Sequence, residues 1–193
     1  MKEPHNKLFS INSYPRVRMR RNRMHEFSRR LVSENNLTVD DLIYPIFITY
    51  GLNKKEKINS MPGIYRFSLD RLETEIKYIS SLNIPAIAFF PQTENKLKTS
   101  DGREAVNKNN LVCEAIRISK KANPELGVIC DVALDPYTDH GHDGVIIDNH
   151  IDNDKTLEIL CQQSLIQAKA GCNIIAPSDM MDGRVGLIRD TLD

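Results

Sequence analysis

The 193 residues hold 26 Lys and Arg against 26 Asp and Glu, 40% apolar and 27% charged, which is the make-up of a globular domain with a core. No run of 18 apolar residues exists for a membrane span, and the polar start, Met1 to Asn6, lacks the apolar segment of a secretory signal. Cys113, Cys130, Cys161 and Cys172 show no CxxC spacing and read as reduced residues of a cytoplasmic protein.

The neutral total hides an asymmetry. Residues 1–40 hold nine Lys and Arg and four Asp and Glu, a net of +5, whereas residues 131–154 hold seven Asp and no cation, a net of −7. Such opposed segments attract a nucleic acid, a metal or another copy of the chain.

Residues 1–38 lack clean periodicity and read as an arm, with the basic run Arg16–Arg23 and a short helix in Met24–Val32. Leu42–Thr49 is a continuous apolar run, expected of a strand buried on both faces. Leu69, Leu72, Ile76 and Ile79 recur at helical spacing with Ser68 placed to cap. Ala86–Phe90 is a second strand stopped by Pro91, followed by a helix from about Glu104 to Lys121. Gly127–Leu134 is a third strand, with a helix at about Asp154–Ala170. Asn173–Ala176 is a fourth, stopped by Pro177, before a helix marked by Val185, Ile188 and Leu192.

Four β-then-α units predict an α/β fold with parallel strands, either doubly wound or a TIM (β/α)8 barrel. The turn after the first strand, Tyr50 to Lys54, has one glycine, which argues against a dinucleotide site and for the barrel. A barrel needs eight units and roughly 250 residues, so residues 39–193 are expected to be its first half, after an arm of residues 1–38.

Chemistry concentrates in two segments. In the first, alternation along a strand predicts Asp131, Ala133 and Asp135 on one face, toward the barrel interior near the strand's C-terminal end. Carboxylates there need a partner or ligand, and Ala133 leaves room for substrate. His140, His142 and Asp143 follow in the loop, and with no cysteine beside them they favour Mg²⁺ over Zn²⁺. The second segment, Ala176–Arg184, also follows a strand, putting Ser178 and Asp179 on the same barrel end, with Asp182 placed to cap the next helix.

These segments resemble the porphobilinogen synthase (5-aminolevulinate dehydratase) family. The resemblance rests on DVALDPYTDHGHDG and IIAPSDMMDGRVGLIRDTLD. PRVRMRRN, LIYPIFI, SMPGIYRFSLDRL and DGREAVNKNNLVCEAIR join them in matching order from about Pro15 to Asp193. It implies a (β/α)8 barrel whose arm wraps a neighbour, commonly in a homo-octamer. It implies a lyase of tetrapyrrole (heme) synthesis that condenses two 5-aminolevulinate molecules to porphobilinogen with loss of two waters, through two lysine Schiff bases. By the same resemblance Asp131 and Ser178 are catalytic-pocket residues, and Asp135 and Asp143 are substrate-binding; Asp179, from its place after the strand, is a further substrate-binding candidate. Asp135 and Asp143 are also metal candidates. Cysteines of the zinc-dependent branch fall at Ala133, Asp135 and Asp143, so the aspartate-rich branch is implied: no active-site zinc, and an allosteric Mg²⁺ held largely by later residues. The family's Schiff-base lysines and carboxylate-binding groups follow SDMMDGR, beyond Asp193. None of the 13 lysines sits at the end of a predicted strand, and Lys96 and Lys98 read as a solvated loop. The piece alone is therefore expected to be inactive.

Other readings are a class I aldolase, a metal-dependent hydrolase, or a dead subunit acting only in assembly. Nucleic-acid binding by Arg16, Arg18, Arg20, Arg21 and Arg23 lacks interleaved aromatics, and docking of the arm on an acidic neighbour is simpler. No nucleic acid or membrane partner is expected.

Overall fold

A computed structural model describes Tyr14, Pro15 and residues 17–193; Arg16 and the polar start lie outside the described residues. Backbone contacts divide the chain into Met1–Thr38 and Val39–Asp193. The first unit holds a 3-10 turn at Met19–Arg23 and a short helix α1 (Glu26–Leu31). None of its described residues is buried.

The second unit is built on a mixed sheet of β1 (Ile43–Thr49), β2 (Lys55–Lys57), β3 (Tyr65–Ser68), β4 (Ala86–Gln92), β5 (Gly127–Val132) and β8 (Ile174–Pro177). Its helices are α2 (Leu69–Ser81), α3 (Leu111–Ala122), α4 (Asn153–Ala170) and α5 (Arg184–Leu192). A separate hairpin, β6 (Val145–Ile147) with β7 (His150–Asp152), precedes α4. The sheet order is β2-β3-β1-β4-β5-β8, antiparallel only at β2. Successive helices pack on one another, α2 on α3, α3 on α4 and α4 on α5, as one layer on one face. That is barrel-type winding; a doubly wound sheet would place helices on both faces.

The layer covers Ile46, Ile48, Ile87, Phe89, Val128 and Cys130, which meet Leu72, Ile76, Ile79, Val112 and Ile116. Removing this apolar surface from water is the main stabilising term. The opposite face of the same strands is open: Ile43 is 56% exposed, Phe90 37% and Ile174 52%. The expectation of a first strand buried on both faces is therefore corrected. β1 alternates, because within these residues only one side of the sheet has a helix layer.

Other differences are local. Ser68 stands at the α2 N-cap, but its hydroxyl accepts the Lys54 N–H at 2.8 Å instead of capping the helix. The single helix expected from Glu104 is a 3-10 turn (Arg103–Val106) and then α3, because Asn110 Oδ1 accepts the Cys113 N–H at 2.9 Å and starts the helix there. Pro91 does not stop β4; it lies past the last β4–β5 pair, Phe89 with Cys130, so its missing N–H costs that ladder nothing. Four short strands, β2, β3 and the two of the β6–β7 hairpin, differ from the expectation. Cys113, Cys130 and Cys161 are buried, and all four thiols are free. No helix of the described residues is long and apolar enough to cross a membrane.

Candidate active site

The open face carries the chemistry near the C-terminal ends of β1, β4 and β5. A cavity of about 340 Å³ is lined there by Phe47, Arg66, Phe90, Lys98, Asp131 and Asp135, among others. Register explains the grouping: Phe47 pairs with Arg66 on one side and Phe90 on the other, and Asp131 follows Cys130, the partner of Phe89. Paired residues of neighbouring strands share a face, so these side chains form one row. Phe47 and Phe90 stack at 5.4 Å and make an apolar floor. A second cavity of about 500 Å³ adjoins it through Gln92 and Thr93, and includes Thr49, Tyr50 and Lys54. A wider depression of about 690 Å³ lies in the arm around α1, but it gathers only surface residues such as Glu26, Arg29 and Arg30.

Asp131 is the penultimate residue of β5 and half-buried. Burial pushes its carboxyl above the ordinary range, and hydrogen bonding from the neighbouring Ser178 side chain opposes that rise. Its Oδ1 is buried without a hydrogen-bond partner. Ser178 is exposed just beyond β8, where its N–H donates to Val132 O at 3.3 Å.

Asp135 reaches the same cavity by a route the alternation did not foresee. β5 ends at Val132, and the chain turns through Leu134, whose carbonyl accepts the N–H groups of Tyr137 and Thr138. Ala133 is consequently buried, with its carbonyl accepting from Gln163 Nε2, and leaves no room in the pocket. Asp135 is exposed and its carboxyl is raised, first by desolvation, then by Asp131 and Asp143, with Lys98 opposing. Lys98 is thus half-buried at the cavity and electrostatically engaged, not a solvated loop residue, whereas Lys96 is exposed and paired with Glu94 at 2.7 Å.

Asp143 lies within electrostatic reach of Asp135, with Oδ1 at 2.8 Å from His142 Nδ1. The two histidines brace their loop: His140 Nδ1 accepts the His142 N–H, and Thr138 Oγ1 donates to His142 O at 2.7 Å. Among the described residues no group of three His, Cys, Asp or Glu side chains is placed to hold a metal. Asp135 and Asp143 alone are an incomplete set of ligands for Mg²⁺.

Asp179 does not line the cavity. It is 1% exposed, accepts the Met181 N–H at 2.7 Å and lies 3.2 Å from Arg184 Nε. Desolvation raises its carboxyl, and the Met181 N–H and Arg184 pull it back. Its geometry is that of a turn brace. Asp182 does not cap α5 either; Gly183 takes the N-cap position at φ +79, and the Asp182 N–H donates to Asn153 Oδ1 at 2.8 Å.

The sequence reading missed Arg66, Phe47 and Phe90. A four-residue strand with two polar positions gave Arg66 no periodic signal, and the two phenylalanines read as core.

The family model described as delta-aminolevulinic acid dehydratase matches residues 16–193. The dehydratase of Bradyrhizobium diazoefficiens is 57% identical over 177 residues, 92% of this chain and 50% of that protein. The one from Chlamydia pneumoniae is 44% identical over 91% of this chain and 53% of that protein. The crystal structure of the Toxoplasma gondii enzyme, in complex with the reaction product porphobilinogen, superposes with a TM-score of 0.87 at 41% identity, over 92% of this chain and 51% of that one. The chain spans about half the length of the relatives it matches. With a family match over nearly all of its length and a close relative at 57% identity, the chain belongs to the delta-aminolevulinic acid dehydratase family.

Proposed function

We propose that this protein is a lyase that condenses two 5-aminolevulinate molecules into porphobilinogen with loss of two waters, and that the open sheet face contributes the substrate-holding side of its site. The observation that carries the reading is Asp131, a half-buried carboxyl with an unpartnered oxygen on the cavity wall, beside Ser178 and close to Asp135. A carboxylate pair on a partly dry wall suits a substrate carrying an ammonium group. The raised carboxyl of Asp131 can hold a proton and return it during the eliminations of water. Phe47 and Phe90 give the floor an apolar surface.

The covalent step is assigned to lysines that the family resemblance places beyond Asp193, outside these residues. No step is routed through a metal, since Asp135 and Asp143 do not complete a site. The described part of the basic arm exposes Met19, Met24, Phe27 and Leu31, which supports its use in a homo-oligomer contact. Four free thiols support a reducing, cytoplasmic compartment.

The test is porphobilinogen formation by a protein that carries these residues together with the segment supplying the Schiff-base lysines, wild type against Asp131→Ala. A fall of about a hundredfold or more with unchanged circular dichroism is expected, the size of losing a positioned acid–base group. Undiminished product from the variant would overturn the assignment.

A further inference from the structure

We propose that Gln163 and Gln167, buried on the helix-covered side of the sheet, are positioning residues of the site. They hold the exit of β5, and so aim the Asp131 carboxyl and start the turn that brings Asp135 to the cavity. This rests on the proposed function and deepens it.

β5 runs out of ladder just where its chemistry begins. Its pairing with β4 ends at Phe89 and Cys130. Its pairing with β8 ends at Val132 opposite Pro177, and a proline has no N–H to donate. The carbonyls past Cys130 are therefore short of ladder donors, and a buried carbonyl left unpaired is costly. α4 supplies two donors from its side chains. Gln163 and Gln167 stand about one turn apart on one face of that helix. Gln167 Nε2 donates to Asp131 O at 3.1 Å, and Gln163 Nε2 donates to Ala133 O at 3.3 Å. Val132 O, between them, accepts the Ser178 N–H at 3.3 Å, and Leu134 O accepts from Tyr137 and Thr138. Each carbonyl from Asp131 to Leu134 is thus held.

For packing alone the arrangement is a poor one. Gln163 is 1% exposed and Gln167 0%, and the Oε1 atom of each is buried with no hydrogen-bond partner among the described residues. A methionine would fill the same space without stranding an oxygen. Turning either amide over would set oxygen against oxygen, so the carbonyls fix which way each amide points. What the two amides secure is direction. The Asp131 carboxyl lines the cavity on the face opposite α4, and holding the Asp131 carbonyl fixes the peptide plane from which that side chain projects. A displacement of about 1 Å at a reacting group costs about a hundredfold in rate, so a brace on the covered side bears on chemistry at the open side.

The test uses a protein that carries these residues together with the segment supplying the Schiff-base lysines. Gln167→Met keeps the length of the side chain and removes its donor. It should lower the kcat of porphobilinogen formation about tenfold in the wild-type background and less than about twofold in the Asp131→Ala background, because a positioning residue acts through the group it aims. Equal losses in the two backgrounds would mark a structural role and overturn the proposal. Hydrogen exchange reads the brace without activity: residues 131–138 should exchange about fivefold faster or more in Gln167→Met, with α2 and α3 unchanged. Unchanged exchange there, or faster exchange throughout the chain, would overturn the proposal as well. If Gln167→Met does not fold, Gln163→Met carries the same test against Asp135→Ala. Porphobilinogen formation by the wild type is read first: no product would sink the proposed reaction, and local exchange then still decides whether the two amides hold β5.

Discussion

The two faces of the sheet use the same strands for opposite ends. On the helix-covered face Ile46, Ile48, Ile87, Phe89, Val128 and Cys130 are sealed in one apolar cluster. On the open face the intervening residues include Arg66, Phe90 and Asp131, with one buried carboxyl oxygen that lacks a hydrogen-bond partner among the described residues and an aromatic ring that solvent reaches. Alternation at period two lets each strand serve both faces. The covered face supplies stability, and the open face holds the strained electrostatics a binding site needs.

Breaking the covered face should have the largest effect on stability. Ile87→Ala is expected to cost about 3 kcal/mol in urea unfolding, from lost transfer and a residual cavity. Ile174→Ala on the open face should cost under about 1 kcal/mol, because its side chain is half in water already. Similar costs at both positions would erase the distinction.

Asp179 tests the border between the two roles. Asp179→Ala should destabilise by about 2 kcal/mol, since it leaves the Met181 N–H without its acceptor and removes the carboxylate beside Arg184, while 5-aminolevulinate binding is kept. Loss of binding without loss of stability would return Asp179 to the substrate site.

The smallest effect has a diagnostic sign. The Asp131 carboxyl is raised in the folded state, so its burial disfavours folding at neutral pH. That cost is relieved as pH falls through the folded-state value and is gone below the unfolded value of about 4. Asp131→Asn should therefore be slightly more stable than wild type at pH 7, with the gap closing toward pH 4. A gap that widens on acidification would mean the carboxylate is favourably paired.

Much of this was legible in the sequence. Strong periodicity at Leu69–Ile79 and the apolar runs of β1, β4 and β5 located the frame, and the DVALDPYTDHGHDG segment pointed to the two carboxylates that line the cavity, Asp131 and Asp135. What escaped was short or non-local. β3 has only four residues and gains its strand character from pairing with β1. The β6–β7 hairpin did carry a signal, since Asp148 and Asn149, both at positive φ, sit between apolar residues. Asp135 and Asp179 were assigned to the pocket by extending strand geometry past its end. Hydrogen bonds to Leu134 O and from Met181 N decide where they go, and periodicity does not report such turns.

The most direct measurement is a crystal structure of the protein soaked with 5-aminolevulinate. The account requires density over the Phe47–Phe90 floor, with the ammonium within hydrogen-bond distance of Asp131 or Asp135. A saturated crystal with that cavity empty, or with the ligand seated elsewhere, would contradict it.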